Sequence, residues 1–252
     1  MAPGAVTTGT PLRAFVPPDA LRSGHLELAG AEAARLWDRG ARVGDTIVVL
    51  DNSGWAWAVA VEICGGNTCA GRVLGRSLAP EPRTKVTLCQ GVLQPVDYRR
   101  LLVAATRAGV VEIVPVVSDG SPISALGPPS APDEPAALAD LVRDVAERCG
   151  RGRTPSLSPP LLFDDALDHV ARGGDALVLA PAGEPPAAAL VGRPFSIGLF
   201  CPPSGGFSAA ELQRARGRGA RVVAAARAAD PVLAAVAALQ TVFAALETAG
   251  DT

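Results

Sequence analysis

Segments with strand and helix patterns alternate through the last two thirds of the chain. Short apolar runs at Val111 to Val117, Ala176 to Ala180 and Ser196 to Cys201 are separated by segments with helical periodicity, such as Pro135 to Cys149. Strands that alternate with helices are typical of parallel strands joined by crossover helices. The sequence therefore predicts an α/β domain over residues 83–252.

A different pattern precedes this domain. Residues 1–82 contain short strands separated by turns and end in a proline-rich linker, Ala79 to Pro82. The strand-like runs are Arg13 to Val16, His25 to Leu28, Thr46 to Leu50, Trp55 to Ile63 and Gly71 to Leu74. Because several short strands follow one another here, we expect residues 1–82 to form a small β-barrel domain.

One of these strands alternates bulky residues with alanine and glutamate. The bulky residues are Trp55, Trp57, Val59, Val61 and Ile63. A period of two places alternate side chains on the same face of a strand. The pattern therefore predicts one core-facing side for all five, with the tryptophans packed in the core rather than stacked on bases.

The charge balance limits which partners the chain can attract, and the cysteine content indicates in which cellular compartment it works. The chain has 23 basic and 25 acidic residues, so no overall positive field draws it toward RNA or an anionic membrane. Five cysteines are an odd number, and the start lacks a basic stretch followed by an apolar segment, so we expect a reducing cytoplasm. The longest apolar run, Val232 to Leu246, is too short to span a bilayer and predicts a buried or dimer-forming helix.

Several familiar catalytic motifs are missing from the sequence. Cys64 and Cys69 have no second ligand pair, and His25 and His169 are the only histidines, so no metal site is expected. Walker, dinucleotide-binding and nucleophile-elbow motifs are also absent. The acidic stretch around His169 indicates the solvated face of a short helix.

The most informative segment runs from Ile197 to Glu211. An apolar strand leads through Gly205-Gly206 into a helix that begins after Ser208, and Glu211 stands three residues further on, the spacing of a capping box. Two glycines can turn the backbone tightly and present N–H donors at the carboxyl end of a strand, where α/β proteins bind ligands. A plain strand-to-helix turn would leave the same pattern, so both interpretations stay open.

This segment also carries a family resemblance. Pro203-Ser-Gly-Gly-Phe-Ser208 resembles the Gly-Pro-Glu-Gly-Gly-(Phe/Leu)-Ser segment of the 16S ribosomal-RNA uridine-N3 methyltransferases, which belong to the SPOUT class. The resemblance spans nearly the whole chain. Other stretches that agree in order are Val86 to Gln90, Ala105 to Ser118, Glu147 to Arg151 and Leu233 to Gln240.

The resemblance implies a fold, a cofactor and an assembly. It implies a PUA-like or OB-like barrel followed by a SPOUT α/β domain with a trefoil knot, S-adenosylmethionine bound in that knot, and a homodimeric active site. Arg227, which keeps an arginine of the family pattern, and Asp230 are the candidate catalytic residues. The resemblance assigns cofactor contacts to Ala180, Phe200, Cys201, Pro202, Ser204, Gly205, Gly206 and Ala226.

The chain also departs from the family pattern. Pro202 and Ser204 stand where the family has glycine and glutamate, and Ala226 to Pro231 replaces Leu-Arg-Thr-Glu-Thr but keeps Arg227. Asp230 and Pro231 instead suit a helix N-cap and first helical residue. Asp230 or Glu184 could supply the missing carboxylate.

Basic residues are also lost on the substrate side. Gln94-Pro-Val and Val103-Ala104 stand where the family has Lys-Gly-Asp and Gln-Lys. Lysine and arginine contacts to phosphate dominate RNA affinity, so these losses argue against a ribosomal substrate. Arg151 and Arg153 remain a candidate anion clamp.

Three functions follow from these observations. The first is an S-adenosylmethionine-dependent methyltransferase acting on a non-ribosomal acceptor, such as a small molecule, with Arg227 stabilising an anionic acceptor. The second is a divergent 16S ribosomal-RNA uridine-N3 methyltransferase. The third is a non-catalytic dimeric scaffold that has lost its cofactor site. No membrane or metal partner is expected.

Overall fold

Contacts within the chain divide it into two units. The computed structural model describes residues 11–122, 134–190, 194–225 and 230–248. The N-terminal unit comprises Met1–Glu81 and Ala146–Arg153, and the C-terminal unit comprises Pro82–Val145 and Thr154–Thr252.

The N-terminal unit is built on a six-stranded mixed sheet. Its strands pair in the order β1-β4-β5-β6-β3-β2, with β1 parallel to β4 and the other pairs antiparallel. The elements are β1 (Arg13–Phe15), a 3-10 turn (Pro18–Ala20), β2 (Leu21–Arg22), β3 (His25–Ala29), α1 (Gly30–Asp38), β4 (Thr46–Leu50), β5 (Trp55–Cys64) and β6 (Thr68–Leu78). Strand pairing ends at β1 and β2, so closure into a barrel stays a prediction.

A change of register in β5 corrects one sequence prediction. Val59 and Val61 are buried in the core, but Ile63 is 56% exposed. The pairing of β5 with β6 shifts between Val61 and Ile63, as in a β-bulge, and an extra residue moves the following side chains to the other face. The prediction that all five bulky residues share one buried side is therefore wrong for Ile63.

The two tryptophans of β5 lie at the margin of the core. Trp57 packs against the core cluster and donates a hydrogen bond from Nε1 to Asp51 Oδ2 at 3.1 Å. The Arg76 guanidinium stacks 4.3 Å from the Trp55 ring and 5.1 Å from the Trp57 ring. Both rings are half-buried and stacked by a cation of the same chain.

Buried ion pairs anchor residues 146–153 within the N-terminal unit. The fully buried Glu147 carboxylate accepts hydrogen bonds from Phe15 N at 2.7 Å and from Arg35 Nη2 at 2.7 Å, and it also pairs with Arg39. A buried carboxylate is tolerated only when it is paired in this way.

The two arginines of the predicted anion clamp are also engaged. Arg151 Nη2 lies 2.7 Å from Glu81 Oε2, and Arg153 Nη2 donates to the Ser53 carbonyl at 2.6 Å. The geometry therefore favours a structural role for both arginines.

The C-terminal unit confirms the predicted α/β architecture. Its strands are all parallel and pair in the order β10-β8-β7-β12-β11-β13, with β9 beside β8. The strands are β7 (Lys85–Gly91), β8 (Glu112–Val117), β9 (Ser156–Leu157), β10 (Leu161–Leu162), β11 (Asp175–Ala180), β12 (Ser196–Cys201) and β13 (Arg221–Ala224). The helices are α2 (Pro95–Ala108), α3 (Glu134–Cys149), α4 (Phe163–Ala171), α5 (Pro186–Ala189), α6 (Ala209–Gly217) and α7 (Pro231–Thr248), and the residues of α3 from Ala146 onward belong to the N-terminal unit.

Helices cover both faces of this sheet. Leu199 of β12 points into a core shared with α2 and α7, whereas its neighbour Phe200 points into a core shared with α4 and α6. Strands buried on both faces read as continuous apolar runs, which explains the sequence pattern. Ligand sites in such sheets form at the carboxyl ends of the strands.

Helix α7 is long and apolar enough, by composition alone, to cross a membrane. One such helix is weak evidence, because core helices pass the same test. Here Ala235, Leu239 and Val242 are fully buried against the sheet core. The packing therefore agrees with the predicted buried helix.

Candidate functional site

The candidate site lies where β7 and β12 end side by side. The two strands are parallel, and Cys201, the last residue of β12, is in register with Gln90 near the end of β7. Two loops leave this edge: residues 118–121 follow β8, and residues 202–207 connect β12 to α6. These residues, with Gln90 and Gly91, form what we call the carboxyl edge.

Gly91 and Gln90 hold the start of the second loop. A Cβ on Gly91 would collide with Pro203 and lie 3.0 Å from the Pro202 carbonyl carbon, so only glycine allows this close approach. The Gln90 side chain is 1% exposed and donates from Nε2 to the Gly91 and Pro202 carbonyls at 3.2 Å each. Its Oε1 atom is a buried acceptor with no partner in the described part of the chain.

The glycine-rich turn has the predicted capping box. Ser208 Oγ accepts from Glu211 N at 3.2 Å, and Glu211 Oε2 accepts from Ser208 N at 2.8 Å. Gly206 has φ +79°, which favours glycine, and its N–H donates to the Pro203 carbonyl at 2.9 Å. The capping box is therefore confirmed.

Glu211 also fixes the first loop against the second. Its Oε1 accepts from Asp119 N at 2.9 Å, and Asp119 Oδ2 accepts from Ser208 Oγ at 2.6 Å. A Cβ on Gly120 would collide with the Gly206 carbonyl, and one on Gly205 would lie 2.9 Å from the Gly120 carbonyl oxygen. The two loops thus pack backbone against backbone through three glycines.

A short ordered turn follows β8. Residues 118–121 form a turn in which Ser121 N donates to Ser118 O at 3.0 Å and Ser118 N donates to Ser121 Oγ at 2.9 Å. The pair Asp119-Gly120, one residue beyond the end of β8, is a sequence signal for such a turn. Residues 123–133 lie outside the described residues.

Most of the predicted cofactor-contact residues share this edge. Phe200 and Cys201 are buried at the end of β12, and Pro202, Ser204, Gly205 and Gly206 follow in the loop. Burial raises the pKa of the Cys201 thiol well above its usual value, so this thiol stays protonated and unreactive. Ala180 ends the neighbouring strand β11, and its carbonyl accepts from Ala225 N at 3.0 Å. Ala226 and the predicted catalytic Arg227 lie outside the described residues.

Asp230 holds the first turn of α7. Its Oδ1 accepts from Val232 N at 2.8 Å, and its Oδ2 accepts from Arg100 Nη2 at 2.8 Å. The Arg100 hydrogen bond lowers the Asp230 pKa. The geometry supports the predicted N-cap, and a lowered pKa makes Asp230 a poor proton acceptor.

Glu184, the other candidate carboxylate, is also engaged. It pairs with Arg221 through two contacts of 2.7 Å, and these lower the Glu184 pKa. Neither candidate is therefore an unpaired carboxylate.

His169 lies on the short helix α4 beside the exposed Asp168, as predicted, and its side chain is 35% exposed, but it also contacts a carboxylate of β8. Its Nε2 lies 3.0 Å from Glu112 Oε1, which also accepts from Ser158 Oγ at 2.7 Å, and Glu112 Oε2 accepts from Thr87 Oγ1 at 3.3 Å. We call these four residues the amino edge, because Glu112 begins β8. Burial raises the Glu112 pKa, but hydrogen bonds from Ser158, His169 and Thr87 outweigh burial and leave it below its usual value.

The described residues contain no group of three or more His, Cys, Asp or Glu side chains that could hold a metal ion. Backbone N–H groups are the main donors that the carboxyl edge can offer a ligand. Pro202 and Pro203 have no N–H, and those of Gly206 and Ser208 are used internally. The N–H groups of Ser204, Gly205 and Phe207 have no partner among the described residues. The turn thus keeps three donors just before a helix N-terminus, where electron-rich ligand atoms are stabilised.

Comparisons with known proteins agree with this arrangement. Residues 80–242 match the family model of the RNA methyltransferase domain. None of the curated sequences compared with the chain matches it.

Solved structures with the same fold cover nearly the whole chain. Ribosomal RNA small subunit methyltransferase E from Neisseria gonorrhoeae, bound to S-adenosyl methionine, is 22% identical over 95% of this chain and 98% of its own, with a TM-score of 0.79. A protein from Legionella pneumophila assigned as a methyltransferase, in complex with bound SAM, is 20% identical over 94% and 98%, with a TM-score of 0.78. A protein from Porphyromonas gingivalis assigned as an rRNA methyltransferase is 18% identical over 92% and 98%, with a TM-score of 0.71.

The resemblance predicted from the glycine-rich turn is therefore confirmed. The family match covers the whole carboxyl edge, from Gln90 to Glu211. The chain belongs to the RNA methyltransferase domain family.

Proposed function

We propose that the protein is an S-adenosylmethionine-dependent methyltransferase that modifies ribosomal RNA, with N3 of a uridine as the acceptor. The observation that carries the proposal is the glycine-rich turn of a confirmed family member, which keeps three backbone N–H donors at the carboxyl edge. Two structural neighbours that cover at least 94% of this chain hold S-adenosylmethionine.

The cofactor would bind through the backbone of this edge. Ser204, Gly205 and Phe207 would donate N–H groups to it, and the ends of β11 and β12 at Ala180 and Cys201 would border it. Bound S-adenosylmethionine supplies an electrophilic methyl group on a sulfonium. The proline at position 202 removes one donor of the family pattern, and Gln90 holds the carbonyl of that proline inside the fold.

The acceptor nitrogen of uridine must lose a proton before it is methylated. Asp230 and Glu184 are poor proton acceptors because arginine partners lower the pKa of each carboxylate. We propose that the proton passes to solvent water and that Arg227 stabilises the anionic acceptor, so that positioning and charge stabilisation supply the acceleration.

Three architectural expectations belong to the same proposal. Strand β11 lies between β12 and β13 in the sheet, so the chain leaves β11, forms β12 on one side of it and crosses to form β13 on its other side. This crossing supports a knot around β11. The mixed sheet of the N-terminal unit supports a PUA-like or OB-like barrel. Light scattering of the purified protein would test the proposed homodimer.

A ribosomal acceptor fits the comparisons better than a small molecule. The small-molecule hypothesis depended on lost basic residues, but the matched family is an RNA methyltransferase family and two neighbours are assigned to ribosomal RNA. No comparison supports a non-ribosomal acceptor. Both enzyme hypotheses require the protein to bind S-adenosylmethionine, whereas the scaffold hypothesis predicts no binding.

The experiment compares ribosomal RNA from wild-type cells, a deletion strain, and deletion strains complemented with wild type or Arg227→Ala. We expect N3-methyluridine in 16S RNA to disappear on deletion and to return only with the wild-type chain. The measurement is nucleoside mass spectrometry with primer extension to locate the base. An unchanged N3-methyluridine level on deletion would reject the acceptor, and full rescue by Arg227→Ala would remove Arg227 from the mechanism.

A further inference from the structure

Two cysteines face each other at the end of the longest hairpin of the N-terminal unit. Cys64 is the last residue of β5, and it is in register with Cys69 of β6 across the turn that contains Gly66 and Asn67. Neither cysteine takes part in the carboxyl edge, and both thiols are free in the structure.

The hydrogen-bond pattern places the pair at a site that suits a crosslink. Gly65 N donates to Thr68 O at 2.8 Å, so Gly65 and Thr68 form a hydrogen-bonded pair. Pairs alternate along an antiparallel ladder, which makes Cys64 and Cys69 a non-hydrogen-bonded pair with Cα atoms about 4.5 Å apart. That separation lies within the range of about 4.4–6.8 Å that disulfides require.

The side chains of the two cysteines also meet. Both pack against the same core cluster, so they lie on one face of the hairpin. Burial, a hydrogen bond with the Cys64 thiol and the charge of Cys64 together raise the pKa of Cys69 to about 12 while Cys64 is free. The hydrogen bond and the charge no longer raise this pKa once Cys64 is held in a mixed disulfide, so the Cys69 thiol becomes more reactive at that step. Cys64 is half-buried and reachable, whereas Cys69 is 0% exposed.

We propose that Cys64 and Cys69 form a reversible thiol–disulfide modification site for a low-molecular-weight disulfide such as oxidised glutathione. The Cys64 thiolate attacks one sulfur of the oxidant and releases one glutathione thiolate. Cys69 then attacks Cys64 Sγ, a bond forms between the two protein sulfurs, and the second glutathione leaves with the Cys69 proton. Two protein thiols are oxidised and one small disulfide is reduced to two thiols.

The crosslink would restrain the end of the β5–β6 hairpin, which contacts the start of α1. The Asn67 carbonyl in the turn accepts from Gly30 N, the first residue of α1, at 3.0 Å. A closed disulfide therefore restrains both strands and the start of this helix, and we expect the thermal unfolding midpoint to rise on oxidation and to fall again with dithiothreitol.

The test treats the folded full-length protein with oxidised glutathione and counts thiols after denaturation. We expect Cys64 and Cys69 to lose both thiols and to give a crosslinked peptide two hydrogens lighter than the reduced one, whether or not the exposed Cys149 also forms a glutathione adduct. A glutathione adduct that persists on Cys64, or a count that stays at five, would overturn the proposal.

Two variants separate the steps. Cys69→Ser should stop at a mixed disulfide on Cys64, whereas Cys149→Ser, which removes an exposed thiol elsewhere, should close the crosslink as the wild type does. Failure of the wild-type crosslink together with normal cofactor binding would refute this site without touching the proposed function. A normal crosslink in a protein that does not bind the cofactor would refute the proposed function and leave the redox site intact.

Discussion

The amino edge of the parallel sheet is held by side-chain hydrogen bonds, whereas the carboxyl edge is held by contacts between backbone atoms. The amino edge satisfies one carboxylate, Glu112, with the side chains of Thr87, Ser158 and His169. The carboxyl edge is shaped by Gly91, Gly120, Gly205 and Gly206, which bring backbone against backbone and leave N–H donors at a helix start. A site made of backbone can persist while side chains around it change, as at Ser204, whereas Pro202 removes one backbone donor and leaves those of Ser204, Gly205 and Phe207.

Of the substitutions that test this comparison, we expect the largest loss of stability at Glu211. Its buried carboxylate accepts from Ser208 N and Asp119 N, so Glu211→Ala leaves two donors without their acceptor. We expect a loss of about 3 kcal/mol in the free energy of unfolding, measured by urea denaturation. Gln213→Ala, at an exposed position on the same helix, is the control and should change stability by less than about 0.5 kcal/mol. Equal stabilities of the two variants would refute the tethering role of Glu211.

A smaller effect is expected where the loops meet at glycines. Gly120→Ala places a methyl group against the Gly206 carbonyl, and we expect it to cost about 2 kcal/mol of stability. Because the glycine-rich turn is displaced, the affinity for S-adenosylhomocysteine should fall about tenfold, or about 1.4 kcal/mol, in calorimetric titration.

The control for this substitution is another glycine of the same unit. A Cβ on Gly217 would meet nothing within 4 Å, so Gly217→Ala should leave affinity unchanged. If Gly120→Ala binds as tightly as Gly217→Ala, close packing of the loops is not what shapes the site.

At the amino edge we expect an effect on stability but none on binding. The Glu112 pKa lies below its usual value of 4.5 in the folded chain, so its contribution is present above pH 4.5 and is lost as the pH falls through the folded pKa. Glu112→Gln replaces hydrogen bonds to a charged group with neutral ones, so it should lower the free energy of unfolding at pH 7 by about 1 kcal/mol and flatten the acid limb of the stability profile.

Urea unfolding between pH 3 and pH 7 measures this change. The variant should bind S-adenosylhomocysteine with wild-type affinity, because Glu112 stands at the opposite end of the sheet from the glycine-rich turn. Weakened binding would show that the two edges are coupled and would contradict the comparison.

The smallest effect is expected at Ser204. If the turn binds through its backbone, Ser204→Ala keeps the N–H donor and should change affinity less than about twofold. Ser204→Pro removes that donor and should weaken binding about tenfold, with circular dichroism as the control for folding. A larger loss in the alanine variant than in the proline variant would assign the contact to the hydroxyl instead.

Local signals in the sequence predicted much of the carboxyl edge. The Ser208–Glu211 capping box and the Asp230 N-cap depend on residues two or three positions apart, and the structure has both. Contacts between distant residues left no such signal. Asp119 meets Glu211 and Arg100 meets Asp230 only after the strands pair.

Strand pairing also explains the error at Ile63 and the Glu112 contact of His169, which the sequence did not indicate. The register shift that exposes Ile63 belongs to the β5–β6 pair and not to the alternation within β5. His169 looks like a polar residue on an amphipathic helix until β8 brings Glu112 beside it. Gln90 belongs to a stretch that carries the family resemblance, and a polar residue at the end of an apolar strand is also a signal for a buried hydrogen-bonded role.

Calorimetric titration of the full-length protein with S-adenosylmethionine and S-adenosylhomocysteine tests the central claim most directly. The claim is that the carboxyl edge still binds the cofactor through backbone donors despite Pro202 and Ser204. We predict one site per chain with micromolar affinity for both ligands. Absence of binding by either ligand at millimolar concentration would contradict it and would favour a scaffold that has lost the cofactor site.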